Sequence, residues 1–150
     1  MKDPFDIFRT FINTMETSVQ ELAKKHGVEH LAGPQGLTVS YLFENRDKEI
    51  FIKDIEERLR ISKSVASNLI KRMEKNGFIQ LETSKTDKRA KYIRLTPQSQ
   101  ERMKKIRDFF DEMNRSILNG VSEQELLIFS QVMAKFYQNI ESLENGGKDV

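Results

Sequence analysis

The sequence predicts a mainly α-helical fold with one small two-stranded β-hairpin, and three observations support this prediction. Apolar residues recur every three or four positions near both ends of the chain, which is typical of one face of a helix. Prolines and glycines fall between the periodic segments, where they mark boundaries. Two short segments in the second half of the chain alternate apolar and polar residues, as strands do.

Length and composition indicate a single soluble domain. The chain has 150 residues, with 25 Lys and Arg against 23 Asp and Glu, for a net charge of +2. It contains no cysteine, which excludes disulfides, thiolate zinc sites and catalytic thiols. The longest apolar run, Leu126 to Phe129, is far shorter than the roughly 20 residues that a membrane helix needs. The first 15 residues also lack the basic start and cleavage site of a signal peptide. We therefore expect a cytoplasmic protein with no membrane partner.

The first predicted helix runs from Pro4 to about Lys25. Asp3 is a residue type that caps helices, a proline suits the first helical turn, and Gly27 suits the stop. Apolar residues at spacings of three and four form a seam along this helix: Phe5, Phe8, Ile12, Met15, Val19 and Leu22.

Two further amphipathic helices are predicted after the hairpin. Thr96 and Pro97 begin the first, and Gly120 ends it. Ser122 and Glu125 form a capping box at the start of the second, which Gly146 ends. The apolar stripe of the first helix is Met103, Ile106, Phe109, Phe110, Met113 and Ile117, and that of the second is Leu126, Phe129, Met133, Phe136, Ile140 and Leu143.

The apolar stripes of these helices must pack against other apolar surface to be shielded from water. An intramolecular bundle would cover them within one chain. A homodimer would cover them between two chains, and we favour it because the two terminal helices, although far apart in sequence, share one style of seam.

The middle of the chain carries the positive charge. Residues 51–100 hold 12 basic and 6 acidic residues, a net +6 (12 − 6), whereas each flanking third has a net charge of −2. Between Arg58 and Arg94 the net charge is +8, from 11 basic and 3 acidic residues. A concentration of this kind is typical of a surface that binds a polyanion.

This basic segment predicts a helix-turn-helix. A short helix carries Ile52, Ile55 and Leu59, a break follows at residues 60–62, and a second helix begins with Ser62 as its cap. On a helical wheel, we expect Val65, Leu69 and Met73 to face the core. The residues expected to face outward are Ser64, Ser67, Asn68 and Lys71.

The outward face of the second helix could be an ordinary solvated surface. Serine and asparagine are poor helix formers, however, and a solvated face more often carries Glu, Lys and Ala. Short hydrogen-bonding side chains with a cation suit the major groove of DNA, where base edges are read. We therefore expect this face to contact DNA.

The alternating segments after Gly77 predict a β-hairpin. Residues 79–82 and 92–95 form its strands, and the polar stretch Thr83 to Ala90 forms its tip. A two-stranded hairpin attached to a helix-turn-helix is a wing, and its basic tip would lie over the adjacent minor groove.

The segment from Leu37 to Thr96 resembles the multiple-antibiotic-resistance regulator (MarR) family of winged-helix transcription factors. The resemblance rests on the Ile-Ser turn, the Ser- and Val-rich second helix ending in Glu-Lys-Asn-Gly-Phe-Ile, the wing motif Asp87-Lys88-Arg89-Ala90 and the closing Leu-Thr. It implies a homodimer whose terminal helices interlock and whose two winged domains read a pseudo-palindromic operator in double-stranded DNA. It also implies that Arg89 enters the minor groove and that Asp87 orients the tip, although Asp87 could be a simple turn former and Arg89 a solvated charge.

The resulting prediction is a single winged-helix chain over residues 1–150. Residues 1–33 and 98–150 would form the dimerisation helices, and residues 36–96 the winged helix-turn-helix. The candidate DNA-binding residues are Ser62, Lys63, Ser64, Ser67, Asn68, Lys71, Arg72, Lys85, Asp87, Lys88 and Arg89.

The sequence favours a transcriptional repressor over an enzyme. It has no phosphate-binding glycine loop, no His-Glu-x-x-His motif and no nucleophile elbow, so we expect neither catalysis nor a cofactor. An alternative is a winged-helix module that binds protein or structured RNA through the same basic surface.

Two further expectations concern small ligands. His26 and His30 are four residues apart, as zinc ligands on one helical turn would be, but Gly27 separates them, so we expect two loop histidines and no metal site. The family resemblance implies a small lipophilic or phenolic effector in the crevice between the dimerising helices and the winged domain. We expect aromatics such as Phe11 and Phe43 to belong to the core.

Overall fold

A computed structural model describes residues 3–146 of the chain. The ends of the predicted dimerisation segments, residues 1–2 and 147–150, lie outside the described residues. The elements in chain order are α1 (Pro4–Lys25), a short 3₁₀ turn (Glu29–Leu31), α2 (Pro34–Glu44), α3 (Ile52–Leu59), α4 (Lys63–Lys75), β1 (Ile79–Thr83), β2 (Lys91–Leu95), α5 (Pro97–Glu101), α6 (Met103–Ile117) and α7 (Glu123–Gly146). The prediction of a mainly helical fold with one two-stranded hairpin is confirmed. The chain divides into two compact units, Met1–Met113 and Asn114–Val150.

Helix α1 has the bounds that its caps predicted. The Phe5 backbone N–H donates to Asp3 Oδ1 at 3.0 Å, which satisfies one of the free donors at the start of the helix. At the other end, Gly27 has a φ of +69°, in the left-handed region that favours glycine. Within α1, Val19 and Ala23 are buried. Phe11 is 49% exposed, so its assignment to the core was wrong: the buried residues of α1 are Val19 and Ala23, two or more turns further along the helix.

The 3₁₀ turn lies directly against the start of α2. A Cβ atom added to Gly36 would come within 2.0 Å of the Leu31 carbonyl oxygen. Because Leu31 is itself buried, its backbone has little room to withdraw. Glycine at position 36 therefore allows these two segments to pack, and the sequence pattern did not predict this contact.

The wing strands pair antiparallel, with Ile79 opposite Leu95 and Thr83 opposite Lys91. A single bridge adds Ile50 to the outer side of β2, where the Ile93 N–H donates to the Ile50 carbonyl at 2.7 Å. This bridge connects the wing to the segment between α2 and α3.

One hydrophobic core lies under the winged helix-turn-helix of the first unit. It combines residues of α1, α2, α3, α4, both strands and α6. The largest fully buried apolar side chains are Phe78, Phe109, Leu31, Ile55, Leu69, Met73, Ile79 and Ile106.

The helix predicted after Pro97 is divided into two. Thr96 caps the first part, since its Oγ1 accepts from the Ser99 N–H at 3.1 Å, and this part ends at Glu101. Arg102 then has φ −86° and ψ −3°, a ψ far from the α-helical value, and α6 begins at Met103. The prediction of one continuous helix was therefore wrong at this residue.

In the second unit, α7 begins at the predicted capping box. Ser122 Oγ accepts from the Glu125 N–H at 3.2 Å, while the Ser122 N–H donates to Glu125 Oε2 at 2.8 Å. The bond from the Ser122 N–H, followed by a bond that the Ser122 hydroxyl donates to the same Oε2 at 2.9 Å, lowers the pKa of the Glu125 carboxyl. No residue of α7 is buried, although its sequence carries a long apolar stripe.

Within residues 3–146, no helix has the length and apolar character to cross a membrane.

Candidate nucleic-acid interface

Helix α4 is held by its cap and by a buried side. Ser62 Oγ accepts from the Val65 N–H at 3.2 Å, as its sequence position predicted. The residues that pack into the core are Ala66, Leu69, Ile70 and Met73.

Val65 does not belong to this buried side of α4. We expected it in the core, but it is 49% exposed. The error has a geometric cause, because the buried arc of α4 is centred between Leu69 and Ile70. Val65 lies about a quarter-turn from that centre at 100° per residue, in the first helical turn.

The predicted α4 candidates present a polar and basic surface. Ser67 is half-buried, and the other α4 candidates are exposed: Ser62, Lys63, Ser64, Asn68, Lys71 and Arg72. Within the described part of the chain, no carboxylate forms an ion pair with Lys63, Lys71 or Arg72. Their charge is therefore available to an external anion.

The wing candidates lie together at the hairpin tip. Lys85, Asp87, Lys88 and Arg89 are all exposed. Asp87 Oδ1 accepts from the Arg89 N–H at 2.9 Å, an Asx-type turn that fixes the backbone at the arginine. The Ala90 N–H also donates to the Asp87 carbonyl at 3.0 Å. The Asp87 side chain thus shapes the turn that presents Arg89.

Glu49 anchors the wing and was missed by sequence reasoning. Its carboxylate accepts from the Ser84 hydroxyl at 2.7 Å and from the Lys85 N–H at 2.8 Å. The backbone hydrogen bond from Lys85, followed by the bond from Ser84, lowers the pKa of Glu49. No local pattern could have revealed a contact between segments 36 residues apart.

A second carboxylate organises the hairpin strands. Glu82 accepts from the hydroxyl of buried Tyr92 at 2.6 Å and from the Gln80 amide at 2.8 Å. These bonds lower the pKa of Glu82, and the bond to Glu82 raises that of Tyr92. Arg94 lies over the Tyr92 ring, with its guanidinium carbon 5.2 Å from the ring centre.

A cleft of about 390 Å³ lies in the first unit, between the end of α2, strand β2 and the start of α6. Leu42, Ile50, Ile93, Leu95 and Met103 give it an apolar lining. Phe43, which we assigned to the core, is half-buried and also lines this cleft. Its basic lining residues are Arg46, Lys48, Arg94 and Arg107, and none of its lining residues is acidic.

The two histidines do not share a helical turn. His26 is the C-cap of α1, and His30 lies in the 3₁₀ turn. His26 Nε2 lies 2.5 Å from Glu112 Oε2 of α6, and Lys25 Nζ donates to the other oxygen of Glu112 at 3.1 Å. Both hydrogen bonds lower the pKa of Glu112, with that from His26 the larger cause. Within residues 3–146, no group of three or more His, Asp or Glu side chains is arranged to hold a metal ion.

The fold and this surface define a winged helix-turn-helix regulator, and comparisons with known proteins identify its family. The MarR family model matches residues 31–90. The chain is 25% identical over 96 residues to the HTH-type transcriptional regulator YdgJ of Bacillus subtilis, a match that covers 64% of this chain and 58% of YdgJ. The chain therefore spans little more than half the length of that curated relative.

Solved structures extend the likeness over nearly the whole chain. The heme sensor protein PefR from Streptococcus agalactiae, solved in complex with heme, is 43% identical, with a TM-score of 0.66 and coverage of 93% of this chain and 95% of PefR. A MarR family regulator from Listeria monocytogenes, complexed with 26mer DNA, is 24% identical, with a TM-score of 0.73 and coverage of 93% and 90%. This chain belongs to the MarR family of transcriptional regulators, and its relatives there are regulators and not enzymes.

Proposed function

We propose that this regulator is a homodimeric repressor that reads a pseudo-palindromic operator with α4 and the wing. The observation that supports this most strongly is a set of exposed cations on these two elements, together with short polar side chains on α4. Within residues 3–146 these cations form no ion pair: Lys63, Lys71, Arg72, Lys85, Lys88 and Arg89. Helix α4 would enter the major groove with its N-terminal residues toward the bases. The alternative of a protein- or RNA-binding module is not favoured, since family neighbours were solved as DNA complexes.

Each candidate residue has a proposed role that follows from its chemistry. The hydroxyl and amide groups of Ser62, Ser64, Ser67 and Asn68 would hydrogen-bond base edges. The cations would contact phosphates, except that Arg89 would enter the minor groove with Asp87 holding its turn. The proposed phosphate contacts are Lys63, Lys71, Arg72, Lys85 and Lys88.

Exposed apolar surface supports the homodimer. In the second unit, Leu127, Ile128 and Phe129 of α7 are each more than half exposed, and Leu143 is 78% exposed. A second copy of the chain is the occupant that the shared seams of the terminal helices favour. Residues 1–33 and 98–150 would thus form the dimerisation region, and residues 36–96 the DNA-binding region. A protein with this function would act in the cytoplasm.

The cleft beside β2 supports regulation by an amphipathic anion. Its apolar residues would cover a lipophilic or phenolic body, and Arg46 or Arg107 would pair with an acidic group. Binding there would release the repressor from its operator by shifting the wing or the spacing of the two α4 helices, which must match about 34 Å along DNA.

Heme is the particular effector that the likeness to PefR favours. It combines an apolar macrocycle with two carboxylates, which matches the apolar and basic lining of the cleft, but that lining contains no histidine, so iron ligation by a histidine would take place outside the cleft. Imidazole is a common iron ligand, and this chain has two histidines, His26 and His30. His30 is exposed and forms a T-shaped ring contact with Phe78, whereas His26 contacts Glu112.

Selection of bound sequences from random duplex DNA by the purified full-length chain tests the proposed function. We expect enrichment of a two-fold symmetric site with half-sites one helical turn apart, and a dimeric mass by light scattering.

Titration of the protein–operator complex with heme or salicylate then tests whether the ligand releases the operator. The Soret absorption band of heme bound to His26→Ala and to His30→Ala reports whether either histidine ligates the iron. A monomer that enriches no duplex would overturn the proposal, and an operator complex insensitive to both ligands would overturn the effector part alone.

A further inference from the structure

Val65 is a half-exposed apolar side chain in the middle of a polar surface. It lies in the first turn of α4, and its exposed neighbours are Ser64 and Asn68. Its side chain belongs neither to the core of the first unit nor to the apolar residues packed around it. Its backbone N–H bonds to Ser62 Oγ, a contact that any residue except proline would keep.

Folding gives no reason for valine at this position. Valine is a poorer helix former than alanine, lysine or glutamate, each of which would suit an exposed position better. Val65 lies in the same helical turn as Ser64 and within one turn of Asn68, two of the proposed base-reading residues. A role in binding would explain an apolar side chain at this position.

The chemistry of the major groove specifies what an apolar group can read there. Each base pair presents hydrogen-bond donors and acceptors, but only thymine adds a 5-methyl group. Serine and asparagine side chains can pair with the polar positions, whereas a branched apolar side chain contacts the methyl group and excludes water from it.

We propose that Val65 is a specificity-determining residue that selects thymine in each half-site by contact with its 5-methyl group. This inference rests on the proposed function, in which α4 enters the major groove. It adds a base preference to a surface that otherwise carries hydrogen-bonding and cationic groups.

The test uses the operator selected with the full chain. Each thymine is replaced in turn by deoxyuridine, which removes one methyl group and leaves the base pairing unchanged. Burial of one methyl group corresponds to about a fourfold change in affinity. We expect one thymine position per half-site to lose about this factor with the wild-type protein, and the same replacement to have no effect on Val65→Ala.

Ser64→Ala is the matched control, because it removes a polar group from the same helical turn. It should weaken binding to the thymine operator and to the deoxyuridine-substituted operator by the same factor. The ratio of the two affinities should therefore stay as in the wild type. Val65→Ala should unfold at a temperature no lower than that of the wild type, since the side chain is half-exposed and alanine is the better helix former. If the protein binds its operator but no uracil replacement weakens it, or if Val65→Ala keeps the full thymine preference, the inference is wrong while the proposed function stands. If no duplex is selected at all, the proposed function itself fails.

Discussion

Replacement of Arg89 by alanine tests the wing contact directly. The proposed interface carries six cations per subunit, namely Lys63, Lys71, Arg72, Lys85, Lys88 and Arg89. If the five proposed phosphate contacts, which are all of these cations except Arg89, each neutralise one phosphate, log affinity should fall with log salt at about −0.9 per contact, a slope of about −4.5 per subunit. Arg89→Ala should weaken binding by about 1–3 kcal/mol per subunit, or about 5- to 150-fold. It should also reduce the slope by about 0.9 per subunit if the guanidinium releases a counterion.

Fluorescence anisotropy with a labelled operator at several salt concentrations measures both quantities. The control is Lys105→Ala, which removes an exposed cation on α6, outside both α4 and the wing. We expect this control to leave affinity and slope close to those of the wild type. If Arg89→Ala matches the wild type in both quantities, or if Lys105→Ala loses as much as Arg89→Ala, the assignment of the wing tip to the DNA is refuted.

Three further predictions concern the scaffold that holds this surface. Gly36→Ala should destabilise the fold by about 1–3 kcal/mol in urea unfolding, because its Cβ would overlap the Leu31 carbonyl, whereas Gly146→Ala has open space and should not. Phe109→Ala should cost about 3–5 kcal/mol in the same assay, since Phe109 is fully buried; a loss below 1 kcal/mol would contradict its place in the core. Glu49→Ala should lower operator affinity, because Ser84 and Lys85 lose their anchor. The folded-state pKa of Glu49 is lowered, so its stabilisation should be present above its ordinary pKa of 4.5 and disappear as the pH falls through the lower folded-state value. A stability difference between the wild type and Glu49→Ala that grows at acid pH would refute this.

The sequence predicted best those features that depend on neighbouring residues. The bounds of α1, the cap at Ser62 and the capping box at Ser122 follow from residues within one helical turn, and the structure has all three. The hairpin was predictable for the same reason, because Gly77 and the alternation on either side of a polar tip are local signals.

Features that depend on distant segments could not be read in this way. The bonds of Glu49 to the wing join residues far apart in the chain and leave no periodic signal. Val65 was misplaced because a helical wheel gives angles between side chains but not the direction of the core, which only the packing of Leu69 and Ile70 fixes. The break at Arg102 likewise interrupts a pattern that continues on both sides of it.

Strand β2 connects the proposed effector cleft to the proposed DNA surface. Ile93, Arg94 and Leu95 line the cleft, and the same strand pairs with β1 to form the wing. A ligand that displaces Arg94 from its 3.5 Å contact with Glu82 would therefore act on the hairpin itself. Thermodynamic linkage then requires reciprocity: if the ligand weakens operator binding by a given factor, the operator weakens ligand binding by the same factor, typically about 5- to 150-fold. Ligand affinity measured with and without saturating operator gives that factor directly, and a ligand whose affinity the operator leaves unchanged is not an effector of this regulator.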